Sequence, residues 1–218
     1  MLLYYITDRK AFPGDDRSRL RRLLDKIAEA ANAGVDFIQL RENDLPTRGV
    51  EQLAREAMRI ITELATAHRP LPTALLINSR IDVALATAAN GVHLPANDIS
   101  PDEVRAAWKC GAGALARELS ARNPLIAVSC HTPEEVKKAA ANQATFAVFA
   151  PVFEKNDVPG TGLEALRQAC RIKIPVLALG GVTPQNAHSC LQAGAAGIAA
   201  IRLFQENDIA TVVRNLRS

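Results

Sequence analysis

A small set of residues in this chain has the types and placement to do chemistry. His131, in the stretch AVSCHTPEE, carries an imidazole that can give and take a proton near neutral pH. The same position also suits a histidine that caps a following helix. Arg202 ends an apolar run, GIAAI, where a guanidinium needs a partner: a phosphate, or a rim salt bridge to Asp8 or Glu206. Gly180 and Gly181 stand between an apolar run and Thr183-Pro184, so their backbone can turn sharply and approach an anion such as phosphate. Gln39, Arg41, Asn78, Ser129 and Glu154 each stand at or just past the end of an apolar run and supply hydrogen bonds or charge. Asp98 could take a hard cation, but Mg²⁺ wants more than one carboxylate or a phosphate partner, and no second acid stands close by. His93, inside GVHLP, reads better as a packed core histidine than as a reacting group.

These residues converge only if the elements that carry them share one end of a fold. Short apolar runs recur, with the bulk of strands buried on both faces: 2–7, 37–40, 74–77, 91–94, 125–128, 145–149, 176–179 and 197–201. Segments with helical apolar spacing alternate with them, among them 17–33, 47–67, 81–88 and 162–172. Helix starts are signalled at Ser100-Pro101-Asp102-Glu103, Thr132-Pro133-Glu134-Glu135 and Thr183-Pro184. Eight strand-helix units predict a single-domain (β/α)₈ barrel over residues 1–218, with its reacting groups at the C-terminal ends of the strands. An open doubly wound sheet is less well supported, because no GxGxxG follows the first strand.

Composition narrows the partners. At 48% hydrophobic and 22% charged, the 218 residues have a soluble globular balance. The net charge is +3, and the arginines at 17, 19, 21 and 22 lack interleaved aromatics, which argues for a solvated helix face rather than nucleic-acid binding. No apolar run approaches the ~20 residues of a membrane span. The N-terminal run has no basic leader, and the four cysteines lack CxxC spacing. A cytoplasmic protein with free thiols is expected.

Seven blocks then carry a resemblance: YYITD, GVDFIQLRE, LLINSRIDVALATAANGVHLPANDIS, VSCHTPEEV, FAVFAPVF, LALGGVTPQN and AGAAGIAAI. In this order, from Tyr4 to about Phe204, they resemble the thiamin phosphate synthase/TenI superfamily. The resemblance implies a barrel of thiamin biosynthesis that binds a thiazole phosphate and, in the synthase branch, a pyrimidine pyrophosphate and Mg²⁺. Several positions depart from the synthase pattern. Asn43 stands where synthases have a lysine, Ser79 where they have a Mg²⁺-binding aspartate, and Arg202 where they have a serine near the phosphate. Their PTxTK block is replaced by residues 153–157. Asp98 does match the second Mg²⁺ ligand.

Glu154 and His131 match the TenI pattern, so the resemblance implies a thiazole tautomerase. His131 would shuttle the proton. Gly180, Gly181 and Arg202 would anchor the phosphate, and Gln39, Arg41 and Asn78 would orient the ring or carboxylate. No cofactor is expected on that reading, and Mg²⁺ only if the chain is a synthase. A phosphorylated thiazole is the expected partner, with a homodimer possible from family habit. Two alternatives stay open: a thiamin phosphate synthase, and a thiazole-phosphate-binding regulator without turnover.

Overall fold

The computed structural model describes residues 1–65, 73–110, 123–154 and 159–217. The strands are β1 (Leu2–Ile6), β2 (Phe37–Leu40), β3 (Ala74–Asn78), β4 (Gly91–Leu94), β5 (Leu125–Cys130), β6 (Phe146–Phe149), β7 (Val176–Ala178) and β8 (Gly197–Ala200). All pair in parallel with their sequence neighbours, and β8 closes on β1. Among the described residues the α-helices are α1 (Asp16–Ala33), α2 (Thr47–Glu63), α3 (Ile81–Thr87), α4 (Pro101–Lys109), α5 (Pro133–Ala141), α6 (Gly162–Cys170), α7 (Ala187–Gln192), α8 (Arg202–Gln205) and α9 (Ile209–Arg217). The expected single-domain (β/α)₈ barrel is the observed fold.

Strand alternation makes two cores from each apolar run. Tyr4, Leu76, Ala127, Phe146, Val148, Leu177 and Ala199 fill the barrel. Their neighbours Leu3, Tyr5, Ile38, Leu75, Ile77 and Ile198 face outward and pack under the helices. Inside the barrel, Phe37 and Phe146 stack at 4.9 Å between ring centroids, and Tyr4 stands edge-on to both. This aromatic plug fills the lower barrel and leaves the strands' C-terminal mouth as its open end.

Some boundaries differ from expectation. β5 runs on to Cys130, which makes Ser129 a strand residue. The expected end of the second helix at residue 67 lies outside the described residues. α7 begins at Ala187 and not at Thr183-Pro184. There, Thr183 N–H donates to Asn186 Oδ1 and Asn186 N–H to Thr183 Oγ1, at 2.8 and 3.4 Å, closing a polar turn ahead of the helix.

Candidate active site

The mouth is built first by buried charges that fix its loops. Thr7 Oγ1 donates to Glu42 Oε1 at 2.7 Å and accepts the Arg41 backbone N–H at 3.0 Å. Glu42 also takes the Arg9 N–H at 3.1 Å. Burial raises the Glu42 carboxyl above its ordinary range, opposed by the bonds from Thr7 and Arg9. The Arg9 fork grips Asp44 at 2.5 and 2.8 Å and holds that carboxyl well below the usual range. This clamp ties the loops after β1 and β2 together and fixes the backbone that carries Arg41. Thr7 and Glu42 stand at strand ends as the sequence suggests, but their link to Arg9 and Asp44 was not expected, since those two lie 35 residues apart.

One wall of the mouth is an amide chain. Gln39 Nε2 donates to Asn78 Oδ1 at 2.8 Å, and Asn78 Nδ2 donates to Asn43 Oδ1 at 3.2 Å. The Arg41 side chain is exposed, with no ion pair among the described residues. Arg80, the next cation here, is committed to Asp82 and Thr47. A second wall carries a buried polar chain. Tyr4 Oη lies 3.0 Å from His93 Nδ1, and His93 Nε2 lies 2.8 Å from Ser129 Oγ. His93 is thus the packed core histidine expected, but both its nitrogens are bonded.

The opposite side holds a cavity of about 590 Å³, lined by Asp8, Glu154, Gly180, Gly181, Arg202 and neighbours. Sequence reasoning assigned Gly180 and Gly181 to phosphate approach. The structure gives them a more immediate task. Both have positive φ, +94° and +62°, and a Cβ on Gly181 would meet Glu154 O and Phe153 Cβ at 2.7 Å. A Cβ on Gly180 would meet Pro151 Cα, also at 2.7 Å. The pair therefore lets the loop after β6 press against β7. Gly181→Ala should then cost about 1–3 kcal/mol of stability by urea unfolding; a variant as stable as the parent would show that the loop yields freely.

Arg202 lines this cavity and is exposed. Neither expected rim salt bridge, to Asp8 or Glu206, forms among the described residues. His131 stands elsewhere. Its Nδ1–H donates to Ala150 O at 2.7 Å, its backbone N–H donates to Glu135 Oε2, and it is not part of the cavity wall. The structure thus gathers Glu154, Gly180, Gly181 and Arg202 into one cavity. Gln39, Asn78, Arg41 and Ser129 form the other walls, with His131 on the rim.

Without a substrate phosphate, the described residues offer too few donors for a tight resident Mg²⁺. Asp98 Oδ1 is turned onto its own chain, accepting the Ile99 N–H at 2.8 Å. Ser79 offers no carboxylate, and Asp82 is held by Arg80. Among the described residues no group of three His, Cys, Asp or Glu could hold a metal. Calorimetric titration of the ligand-free protein with Mg²⁺ should show no site tighter than about 10⁻³ M; a tighter site would reverse this assignment.

The model of the family described as thiamine monophosphate synthase matches residues 3–204. The chain belongs to this family. It is 39% identical to a putative thiamine-phosphate synthase of Geobacter sulfurreducens, across 91% of this chain and 84% of that protein. It is 34% identical to a thiamine-phosphate synthase of Syntrophomonas wolfei, across 99% and 94%. A solved thiamine phosphate pyrophosphorylase from Pyrococcus furiosus superposes with a TM-score of 0.75 at 29% identity, covering 99% of this chain and 93% of that one. These likenesses overturn the tautomerase expectation and favour a transferase over an isomerase. His131, the expected shuttle, has Nδ1 bonded to Ala150 O and stands outside the cavity that holds Arg202. No helix among the described residues is long and apolar enough to cross a membrane.

Proposed function

We propose that this protein is a thiamine-phosphate synthase, a transferase that joins hydroxymethylpyrimidine pyrophosphate to thiazole phosphate. The observation that carries this reading is the likeness to the Syntrophomonas synthase over almost the full length of both chains. In the reaction the thiazole nitrogen bonds to the pyrimidine methylene carbon, while the carbon–oxygen bond to pyrophosphate breaks. Pyrophosphate leaves with the electron pair. The 590 Å³ cavity with Gly180, Gly181 and Arg202 is the seat for the thiazole phosphate. Arg41, with the Gln39–Asn78–Asn43 chain beside it, meets the pyrimidine pyrophosphate and the negative charge that grows on it. Because the donor set does not suit a resident metal, no step here runs through one. The four cysteines, all free, accord with work in a reducing cytoplasm.

The neutral residues Asn43 and Ser79 favour one second reading, a barrel that binds thiazole phosphate without turning it over. Incubation with both substrates and Mg²⁺ separates the two. Thiamin phosphate by mass spectrometry, with equimolar pyrophosphate, is the expected result. Calorimetric binding of thiazole phosphate with no product would replace the synthase by the binder.

A further inference from the structure

The buried chain Tyr4–His93–Ser129 has a direction. The Tyr4 side chain is fully buried, and among the described residues the acceptor within reach of its hydroxyl is His93 Nδ1, at 3.0 Å. Burial pushes the phenol well above its ordinary pKa, so it keeps its proton and must donate it. His93 is 3% exposed. Burial first, and the charge of Arg41 second, lower its pKa to about 3, so the ring is neutral and carries a single N–H. With Nδ1 accepting, that N–H is on Nε2 and points at Ser129 Oγ, 2.8 Å away. A serine oxygen that accepts from inside the barrel has its own proton left for the mouth side.

We propose that Tyr4 and His93 are positioning residues that leave the Ser129 hydroxyl proton to be donated to the bound ligand. The ligand atom that takes this proton is then a lone-pair acceptor, a ring nitrogen or a phosphoryl oxygen. The place of Ser129 beside the ligand rests on the synthase reading; the direction of the chain does not. Its geometry is well supported from below, since Tyr4 stands edge-on to the stacked Phe37 and Phe146 rings and is itself stacked at 5.7 Å on the His93 ring.

Two measurements test this. Nitrogen NMR of ¹⁵N-histidine-labelled protein without ligand should show His93 protonated at Nε2 and bare at Nδ1. In Tyr4→Phe, which keeps the ring packing, that preference should be lost. A ring protonated at Nδ1 in the parent protein overturns the proposal. The second is a double-mutant cycle on kcat/KM. Tyr4→Phe should lower it about three- to tenfold, and less than twofold when Ser129→Ala is already present, because the effect travels through that hydroxyl. Equal losses in both backgrounds would make Tyr4 a packing residue and sink the relay. Should turnover be absent altogether, the synthase reading falls, and the NMR result alone decides the direction of the chain.

Discussion

Arg202→Met is expected to weaken thiazole phosphate binding by about 10–100-fold at low salt, with little change in thermal stability. A hydrogen bond from a charged donor to an anion is worth about 1.5–3 kcal/mol. Arg202 is free to give it, because the structure provides neither Asp8 nor Glu206 as an ion-pair partner among the described residues. The side chain is exposed, so the attraction is screened and should fade as ionic strength rises. Parent affinity should therefore fall with added salt while the methionine variant changes less, and the two should converge. Calorimetry across a salt series reads this directly. If the variant binds as tightly as the parent at every salt concentration, the phosphate is held by backbone N–H groups near Gly180 and Gly181 alone.

The barrel was legible because its signal is local. Each strand announces itself as a short, mostly apolar run, and the alternation that splits it between two cores needs no knowledge of the partner strand. The mouth residues followed from topology: a polar residue just past a parallel strand must lie at one end of the barrel, which is how Gln39, Arg41, Asn78, Ser129 and Arg202 could be named. What stayed hidden are the contacts between distant segments. Tyr4 and His93 lie 89 residues apart, and nothing in GVHLP says which atom each ring nitrogen will meet. The Arg9–Asp44 grip is hidden for the same reason. Gly180 and Gly181 were recognised as special but for an incomplete reason, since the loop that crowds them arrives from β6. The branch was misread at Asn43 and Ser79. Two neutral residues suggested that pyrophosphate chemistry was gone, whereas the Thr7–Glu42 clamp still presents an arginine beside them.

That arginine carries the largest expected effect. Arg41→Met should lower kcat about 10²–10³-fold, the usual cost of removing one preorganised group that meets charge developing in the transition state. The argument starts from its backbone, whose N–H is bonded to Thr7 Oγ1, itself held by buried Glu42. The fixed backbone places this guanidinium at the mouth, where, exposed and without an ion pair among the described residues, it is available to the pyrophosphate as it leaves. Its neighbours cannot replace it: Asn43 and Asn78 are neutral and bonded to each other, and Arg80 is paired with Asp82. Because the charge matters most as the bond breaks, the loss should fall on kcat, while thiazole phosphate affinity stays within a few-fold of the parent. Arg41→Lys should recover only part of the rate, since an ammonium keeps the charge but not the planar fork that matches phosphoryl oxygens. Single-turnover kinetics with the pyrimidine pyrophosphate separates this from slow product release. A variant whose single-turnover rate stays within a few-fold of the parent would place Arg41 on the solvated rim and leave the leaving group to be stabilised from another strand.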